Sequence, residues 1–346
     1  MALQIATVTR RRLTLRDVRC DLARHFRAET VGMRALIFPG QGSQGVGMGQ
    51  ALAESFPAAR AIFQEVDDTL AQDLSGLMRD GPAEEINLTA NAQPALMAVS
   101  VAAFRVLQSE LGLDLHRDAA FVAGHSLGEY SALVAAGCLS VADAARLLRI
   151  RGNAMQKAVP VGQGAMAALL GLDREPVEEI AREAAQGEVC DVANDNGPGQ
   201  VVVSGHAAAV QRAVTIAQGR GARRAVMLPV SAPFHCALMA PAAEAMREAL
   251  AGVAIAAPAV PVVANIEAAP ITGPEDIRDA LVRQVTGTVR WRESVDRMAR
   301  DGVDVFVEVG AGKVLTGLVK RIASGAKAAP FGQPGDLDAV RPLLVS

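Results

Sequence analysis

Residues 119–136 have the sequence AAFVAGHSLGEYSALVAA, and the rest of the chain is organised around them. The apolar run 119–123 predicts a buried strand, and the Ala-rich segment 131–136 predicts the start of a helix. Between them lies a Gly-x-Ser-x-Gly motif made of Gly124, Ser126 and Gly128. A strand, a sharp turn and a helix in this order are the context of a nucleophile elbow.

Ser126 is therefore the candidate nucleophile. The glycines on either side leave room for a strained backbone that projects the serine Oγ from the turn. The backbone N–H of Leu127 and the N-terminus of the next helix would lie beside it, and such donors suit an oxyanion. The bare motif occurs by chance in many chains, so the prediction depends on the strand before it and the helix after it.

Composition limits the classes of function. The 346 residues are 51% hydrophobic and 21% charged, which is enough for one large domain or two smaller ones. A net charge of −3 and only 3% aromatic residues argue against a nucleic-acid partner. No apolar run approaches about 18 residues, so we expect no membrane span. The four cysteines are widely spaced without a CxxC pair, which indicates reduced thiols in a cytoplasmic protein and no metal site.

Residues 1–32 differ from the rest of the chain because they contain seven arginines and only three acids. They lack the apolar segment of a secretory signal. An arginine-rich segment could be an organellar transit peptide, although the acids weaken that interpretation. We favour the alternative of an upstream start codon with Met33 as the working start, because a strand is predicted immediately after it.

The first predicted strand, residues 34–38, leads into a glycine-rich loop. Gly40, Gly42 and Gly45 match GxGxxG after a strand, which is formally a dinucleotide-binding pattern. That pattern requires a second strand ending in an acid about 20 residues later, and a helix is predicted there instead. We therefore expect the loop to supply N–H donors beside the nucleophile, with the N–H of Gln41 as the candidate.

Residues 159–228 are predicted to form an inserted subdomain. Their apolar patterns follow the order strand, helix, strand, strand, helix, strand, which is the ferredoxin-like split βαβ unit. Within it, 194–199 (NDNGPG) predicts a turn. Residues 33–158 and 229–325 then make up a larger catalytic domain. The Gly-, Pro- and Ala-rich tail, 326–346, is expected to be loosely packed.

A serine nucleophile needs an adjacent base. Of the five histidines, His235 is the best candidate because it leaves a strand of the larger domain and follows Ser126 in the chain. His125 is next to Ser126, so its side chain should point away, and we interpret it as structural. No acid stands out as a third member, since Asp191 and Asp195 lie in the inserted subdomain. A backbone carbonyl could hold the imidazole instead of a carboxylate.

One arginine could also belong to the site. Arg146, Arg149 and Arg151 follow a predicted helix start at Ser140. Their spacing predicts that Arg146 and Arg149 are solvated. Arg151 lies towards the helix end, beside Gly152, and could turn inwards, so spacing alone leaves its role open.

Several stretches together resemble the malonyl-CoA:acyl-carrier-protein transacylase family. They occur in the family's order from about Met33 to Ala323: FPGQGSQ at 38–44, GHSLGEY at 124–130, Arg151-Gly152 with Met155, residues 196–200, Phe234-His235-Cys236 and Gln284. The resemblance implies an α/β fold, with an α/β-hydrolase-like large domain and an inserted ferredoxin-like small subdomain. The arginine-rich start departs from the family pattern, which affects only the localisation.

The resemblance also implies catalytic roles. Ser126 would be the nucleophile and His235 the base, with the main-chain carbonyl of Gln284 orienting the imidazole. The N–H groups of Gln41 and Leu127 would form the oxyanion hole. No permanently bound cofactor and no metal are implied.

The implied substrates are malonyl-CoA and the phosphopantetheine thiol of holo acyl carrier protein. Arg151 would bind the free carboxylate of the malonyl group, and Asn196 would contact substrate or carrier near the subdomain cleft. Phe234 before His235 fits a malonyl rather than a methylmalonyl pocket. We expect a cytoplasmic monomer that supplies extender units for fatty acid synthesis.

Three other hypotheses compete with this one. A free-standing acyltransferase serving a polyketide synthase would share every catalytic residue, and only its carrier protein would differ. A plain esterase would be expected to have a carboxylate in the triad and no arginine at the acyl pocket. A binding module with a dead site conflicts with the presence of both Ser126 and His235.

Overall fold

The structure is a computed structural model that describes residues 32–345, and from Met33 the chain forms one compact unit. The expected extension, residues 1–32, lies outside the described residues except for Gly32. The strands are β1 (Met33–Phe38), β2 (Phe121–Gly124), β3 (Gly164–Leu170), β4 (Cys190–Gly197), β5 (Gln200–His206), β6 (Arg224–Met227), β7 (Val262–Ala264), β8 (Ala269–Ile271), β9 (Val303–Val309) and β10 (Lys327–Phe331). The helices are α1 (Gln50–Ser55), α2 (Pro57–Leu70), α3 (Leu74–Asp80), α4 (Ala83–Ile86), α5 (Thr89–Leu111), α6 (Leu115–Asp118), α7 (Gly128–Ala135), α8 (Val141–Ala158), α9 (Arg174–Ala185), α10 (Ala207–Gly219), α11 (Ala240–Ala251), α12 (Pro274–Gln284), α13 (Trp291–Arg300), α14 (Val314–Ile322) and α15 (Leu337–Leu344).

The larger sheet has the strand order β10-β9-β1-β2-β7-β8. Its neighbours are parallel, except that β8 pairs antiparallel with β7. The central strands β1 and β2 are apolar and buried, as expected where helices cover both faces of a parallel sheet. Phe38 pairs with Gly124, so the loops after these two strands leave the same edge of the sheet. In open α/β sheets this carboxyl edge is where ligands bind.

Helix α5 forms the centre of the larger domain's core. Its side chains are buried along most of its length, and it packs against α2 and α8. Pro94 lies inside the helix and has no N–H to donate to the turn before it. By length and composition this helix could span a membrane, but 89% of its apolar stretch is buried inside the fold. Burial of this kind is typical of a core helix.

The smaller sheet has the order β4-β5-β3-β6, with antiparallel neighbours. This is the strand order expected when a βαββαβ chain forms a ferredoxin-like unit. Helices α9 and α10 pack on the sheet through apolar faces that include Val177, Ile180 and Val210. The bounds that we propose for this subdomain, residues 159–228, enclose all six elements.

The expectation of a loosely packed tail at 326–346 is wrong. Residues of β10 pair in parallel with β9, and Phe331 is fully buried. Helix α15 buries Val340 and Leu344. Pro330 is compatible with this strand because β10 lies at the edge of the sheet, where a residue without an N–H costs no ladder hydrogen bond.

The turn predicted at 194–199 is also shorter than expected. Strand β4 continues to Gly197, with irregular register on the way. Its extension is held by backbone bonds to the segment before α13, from Asp195 N to Val289 O (3.0 Å) and from Val289 N to Ala193 O (2.9 Å). Tertiary pairing thus overrides the turn propensity of the Asn and Asp residues. The consequence is that Asn196 lies on a strand fixed to the larger domain.

Candidate active site

The nucleophile elbow has the predicted strand, turn and helix, formed by β2, Ser126 and α7. Ser126 has φ 53°, in the left-handed region that a non-glycine residue rarely occupies. A Cβ on Gly124 would lie 1.9 Å from the carbonyl of Gly128, and one on Gly128 would lie 2.3 Å from the Phe38 carbonyl oxygen. Both glycines are therefore required by close backbone approach, and the half-buried serine lies at the carboxyl edge of the sheet.

Ser126 and His235 form a hydrogen-bonded pair, with 2.8 Å between Ser126 Oγ and His235 Nε2. The other ring nitrogen, Nδ1, lies 2.9 Å from the main-chain oxygen of Gln284. A carbonyl only accepts hydrogen bonds, so Nδ1 carries the proton and Nε2 is free to accept from the serine hydroxyl. This is the tautomer that a general base needs.

No carboxylate orients this imidazole in the described part of the chain. Asp191 accepts a hydrogen bond from Ala237 N (2.9 Å), and Asp195 forms an ion pair with Arg292 (2.9 Å). Both acids are thus held by other partners, and the Gln284 carbonyl occupies the position of the third member.

Burial and charge weaken His235 as a base in the free protein. Burial chiefly, and then the positive charge of Arg151, lower the pKa of His235 to about 3. The imidazole is therefore neutral throughout the physiological pH range. A negative charge that reached Arg151 would reduce one of these two causes.

Arg151 is buried, with only 1% of its surface exposed, and points at the nucleophile. Its Nη1 donates to Gln93 Oε1 (2.7 Å), and its Nη2 donates to Gln284 Oε1 (2.9 Å) and to Ser126 Oγ (3.1 Å). None of the ion pairs within residues 32–345 includes it. A buried cation without a carboxylate beside it makes a receptor for an anionic group.

Close helix packing turns Arg151 inwards. A Cβ on the next residue, Gly152, would lie 2.7 Å from Ala90 Cα and from Thr89 O, so α8 meets the start of α5 almost backbone to backbone. Arg149 was expected in solvent, and this expectation is wrong, because it donates to Asn91 Oδ1 (3.0 Å) across the same contact.

The glycine-rich loop after β1 packs against the elbow. A Cβ on Gly40 would lie 2.6 Å from the carbonyl oxygen of His125, whose own N–H donates to Phe38 O (3.0 Å). The loop residue Gln41 follows directly, and Leu127 lies immediately before the first turn of α7. The two N–H groups predicted to hold an oxyanion thus belong to two adjoining segments.

Asn196 lies beside the elbow, where its side-chain oxygen is hydrogen-bonded to another residue of the protein. His125 Nε2 lies 2.8 Å from Asn196 Oδ1, and the His125 ring lies 5.7 Å from the Trp291 ring, at 58°. His125 thus points away from the serine, as predicted. The contact between Asn196 and substrate or carrier stays a prediction.

Sequence reasoning missed two polar residues beneath the elbow. Asn265 accepts from Ser126 N (2.7 Å) and donates to Gly124 O (2.6 Å), which fixes the strained turn. Glu129 Oε2 accepts from Asn265 N and from Gln284 Nε2, both at 2.9 Å. A carboxyl on an otherwise apolar helix, three residues after the nucleophile, was a signal for Glu129. The isolated asparagine offered no comparable signal.

The chain is similar to known acyltransferases. A family model described as "Acyl transferase domain" matches residues 35–331. Malonyl CoA-acyl carrier protein transacylase of Escherichia coli (strain K12) is 49% identical over 309 residues, which covers 89% of this chain and 99% of that protein.

Solved structures agree with this match. The acyl-carrier-protein-S-malonyltransferase of Bartonella henselae is 56% identical, with a TM-score of 0.88 over 90% of this chain and 100% of that one. A malonyl-transacylase solved in complex with a type II PKS acyl-carrier protein is 45% identical, with a TM-score of 0.86 over 90% of this chain and 99% of that one.

Proposed function

This chain belongs to the acyl transferase family, among the malonyl CoA-acyl carrier protein transacylases, and from that premise we propose how its residues work. It transfers the malonyl group from malonyl-CoA to the phosphopantetheine thiol of acyl carrier protein, and so supplies extender units for fatty acid synthesis. One observation carries the assignment: Ser126 Oγ lies 2.8 Å from a neutral imidazole and 3.1 Å from a buried guanidinium. The base and the anion receptor are therefore both within hydrogen-bond distance of the nucleophilic oxygen.

In the first half-reaction Ser126 Oγ attacks the thioester carbonyl, and its proton passes to Nε2 of His235. The N–H groups of Gln41 and Leu127 hold the oxygen of the tetrahedral intermediate. The C–S bond then breaks, CoA leaves as a thiol with the proton from His235, and malonyl remains as an ester of Ser126.

In the second half-reaction the phosphopantetheine thiol gives its proton to His235 and attacks the ester carbonyl. The C–O bond breaks, and the proton returns to Ser126 Oγ. The two substrates thus use one site in turn, which predicts ping-pong kinetics. Asn196, near the subdomain cleft, is proposed to contact the substrate or the carrier.

Arg151 gives the site its preference for malonyl. Its planar guanidinium can hold both oxygens of the malonyl carboxylate, which a lysine could not do. That carboxylate also offsets the positive charge that weakens His235 as a base. Malonyl binding therefore strengthens the catalytic base, whereas acetyl binding does not.

The competing functions fit the site less well. An esterase is disfavoured because a carbonyl orients His235 and an arginine lies at the acyl pocket. We propose a carrier of fatty acid synthesis, because the Escherichia coli and Bartonella henselae relatives are named for an acyl carrier protein without mention of a polyketide synthase. We propose a cytoplasmic monomer without a permanently bound cofactor, and the burial of the free thiols of Cys138, Cys190 and Cys236 is consistent with a reducing compartment.

Intact-mass spectrometry tests the proposal. The purified protein should gain one malonyl group from malonyl-CoA and lose it to holo acyl carrier protein, but keep it with the apo carrier. Ser126→Ala should gain none, whereas Ser109→Ala, at an exposed serine at the end of α5, should behave as wild type. A malonyl adduct on Ser126→Ala would contradict the assignment. Running fatty-acid and polyketide carriers side by side decides which is served.

A further inference from the structure

A second ionisable group lies directly beneath the catalytic pair, and the reaction scheme does not use it. Glu129 is 1% exposed and forms none of the ion pairs found in the described part of the chain. Its Oε2 accepts two hydrogen bonds from neutral groups, Asn265 N and Gln284 Nε2. A buried carboxyl without a direct counter-ion is costly to ionise.

One amide connects this carboxyl to the buried cation. Gln284 Nε2 donates to Glu129 Oε2 (2.9 Å), while Gln284 Oε1 accepts from Arg151 Nη2 (2.9 Å). The main-chain oxygen of the same Gln284 holds His235. Glu129 therefore orients the residue that orients both the base and the anion receptor.

The other charged and titratable groups that face this cluster keep their charge between about pH 6 and pH 8. Burial lowers the pKa of His125, which disfavours its cationic form, and burial together with Arg151 lowers the pKa of His235 to about 3, so His235 stays neutral. Burial raises the pKa of Tyr130, which stays protonated, and Arg151 stays cationic. Burial raises the pKa of Glu129 to about 7, although two hydrogen bonds and the charge of Arg151 act against it. Glu129 is the member of this cluster that changes its charge near neutral pH.

We propose that Glu129 is a positioning residue and that its ionised form is the counter-charge of Arg151 in the free enzyme. When a malonyl carboxylate binds Arg151, the malonyl group becomes the counter-charge and Glu129 takes up a proton. The proposal rests on the proposed function, because it requires an anionic acyl group at Arg151. The charges balance: one guanidinium and one carboxylate before binding, and one guanidinium, one malonyl carboxylate and a protonated Glu129 after it. The proton comes from solvent.

The consequence is an acyl preference that depends on pH. Ionised Glu129 repels the malonyl carboxylate and competes with it for the field of Arg151, whereas the acetyl group carries no charge to repel. The ratio of kcat/KM for malonyl-CoA to that for acetyl-CoA should therefore fall as the pH rises through about 7. Taking this ratio removes pH effects on the serine and the imidazole, because both thioesters use them.

The experiment measures acylation of Ser126 by each thioester between about pH 6 and pH 8. In the wild type we expect the malonyl-to-acetyl ratio to fall about five- to tenfold, because the protonated fraction of a carboxyl with a pKa of about 7 falls about tenfold over this range. Glu129→Gln can accept the same two hydrogen bonds without titrating, so its ratio should change less than about twofold. Glu308→Gln is the matched control. Glu308 is also a buried carboxyl with a raised pKa, but it accepts hydrogen bonds from Leu315 and Thr316, so the slope should remain as in the wild type.

Each outcome decides the matter. A malonyl-to-acetyl ratio that does not change with pH in the wild type overturns the proposal. A ratio that falls with pH in Glu129→Gln as steeply as in the wild type also overturns it. If the variant does not fold, an indicator dye in weak buffer at about pH 7 gives the answer on the wild type: malonyl loading should take up protons, and acetyl loading should not. If no malonyl-serine mass appears, the proposed function is wrong. If the malonyl adduct forms without proton uptake, the proposed function stands and the proposal for Glu129 is wrong.

Discussion

The nucleophile elbow and the charged cluster beneath it are assembled in opposite ways. The elbow consists of consecutive residues, and its two glycines are required because any Cβ would collide with backbone. The cluster draws Arg151 from α8, Gln284 from the end of α12 and Glu129 from the first turn of α7. A local steric requirement leaves a motif in the sequence, whereas a cluster assembled by topology draws single residues from separate helices and leaves no local motif.

Gln284 connects these two regions. Its main-chain carbonyl belongs to the catalytic pair through His235, and its side chain belongs to the cluster through Arg151 and Glu129. We propose that the elbow supplies the chemistry of acyl transfer and that the cluster selects the acyl group. The variants below test whether these two contributions can be separated, from the largest expected effect to the smallest.

The largest effect after loss of the nucleophile is expected from His235→Ala. Removal of a positioned acid–base group should lower malonyl and acetyl transfer alike, by about two to four orders of magnitude. Steady-state transfer to holo carrier protein measures this loss. Asp191→Asn tests whether a carboxylate is the third member of the triad. Asp191 accepts a hydrogen bond from a backbone N–H, so the transfer rate of this variant should stay within about fivefold of wild type. A thousandfold loss in that variant would restore an acid as the third member.

Arg151→Ala should separate the two regions. Loss of one partner of a buried charge pair costs about 2–5 kcal/mol, which corresponds to about thirty- to several-thousand-fold in kcat/KM for malonyl-CoA. Acetyl-CoA makes no such contact, so its rate should hold or rise. The measurement is kcat/KM for both thioesters on the same preparation. If the malonyl preference survives within about threefold, the carboxylate is bound elsewhere and the proposed cluster has no role in selection.

Much of the fold and half of the site were predictable from these patterns. Apolar runs and the GxSxG motif located β1, β2 and the serine, because buried strands and sharp turns constrain neighbouring residues. The order of elements in 159–228 predicted the antiparallel sheet for the same reason. Motif resemblance, rather than periodicity, supplied the role of Gln284, since a main-chain carbonyl has no sequence signature.

The failures share one physical cause, which is pairing between distant segments. The tail forms β10 because β9 offers a free edge, and 194–197 form a strand because the backbone near Val289 pairs with them. Asn265 acts through two hydrogen bonds to a turn more than a hundred residues away in the chain. No local pattern records such contacts.

The pH dependence of the base tests how strongly the cluster acts on the elbow. Burial and Arg151 depress the pKa of His235 to about 3, so the neutral, basic form persists as the pH falls from 7 to 5. The kcat/KM for acetyl-CoA, which avoids the malonyl carboxylate, should fall less than about twofold over this range. With a histidine of the ordinary pKa of about 6.5, the rate would fall about 25-fold over the same range. Stopped-flow acylation measures the profile, and a titration near 6.5 would contradict the assignment of His235 as a buried base.

The smallest effect is expected from deletion of residues 1–32. The acyl transferase match begins at residue 35, and the compact unit begins at Met33 with β1, which lies between β9 and β2 in the larger sheet. Every residue assigned to the elbow and the cluster lies within that unit. A protein that starts at Met33 should therefore keep the wild-type melting temperature within a few degrees, because its core is unchanged, and its kcat/KM for malonyl-CoA within about twofold. Thermal unfolding and steady-state transfer on the two proteins check this, with Ser109→Ala in both as a neutral substitution. An insoluble or inactive truncated protein would show that the arginine-rich segment contributes to the folded domain.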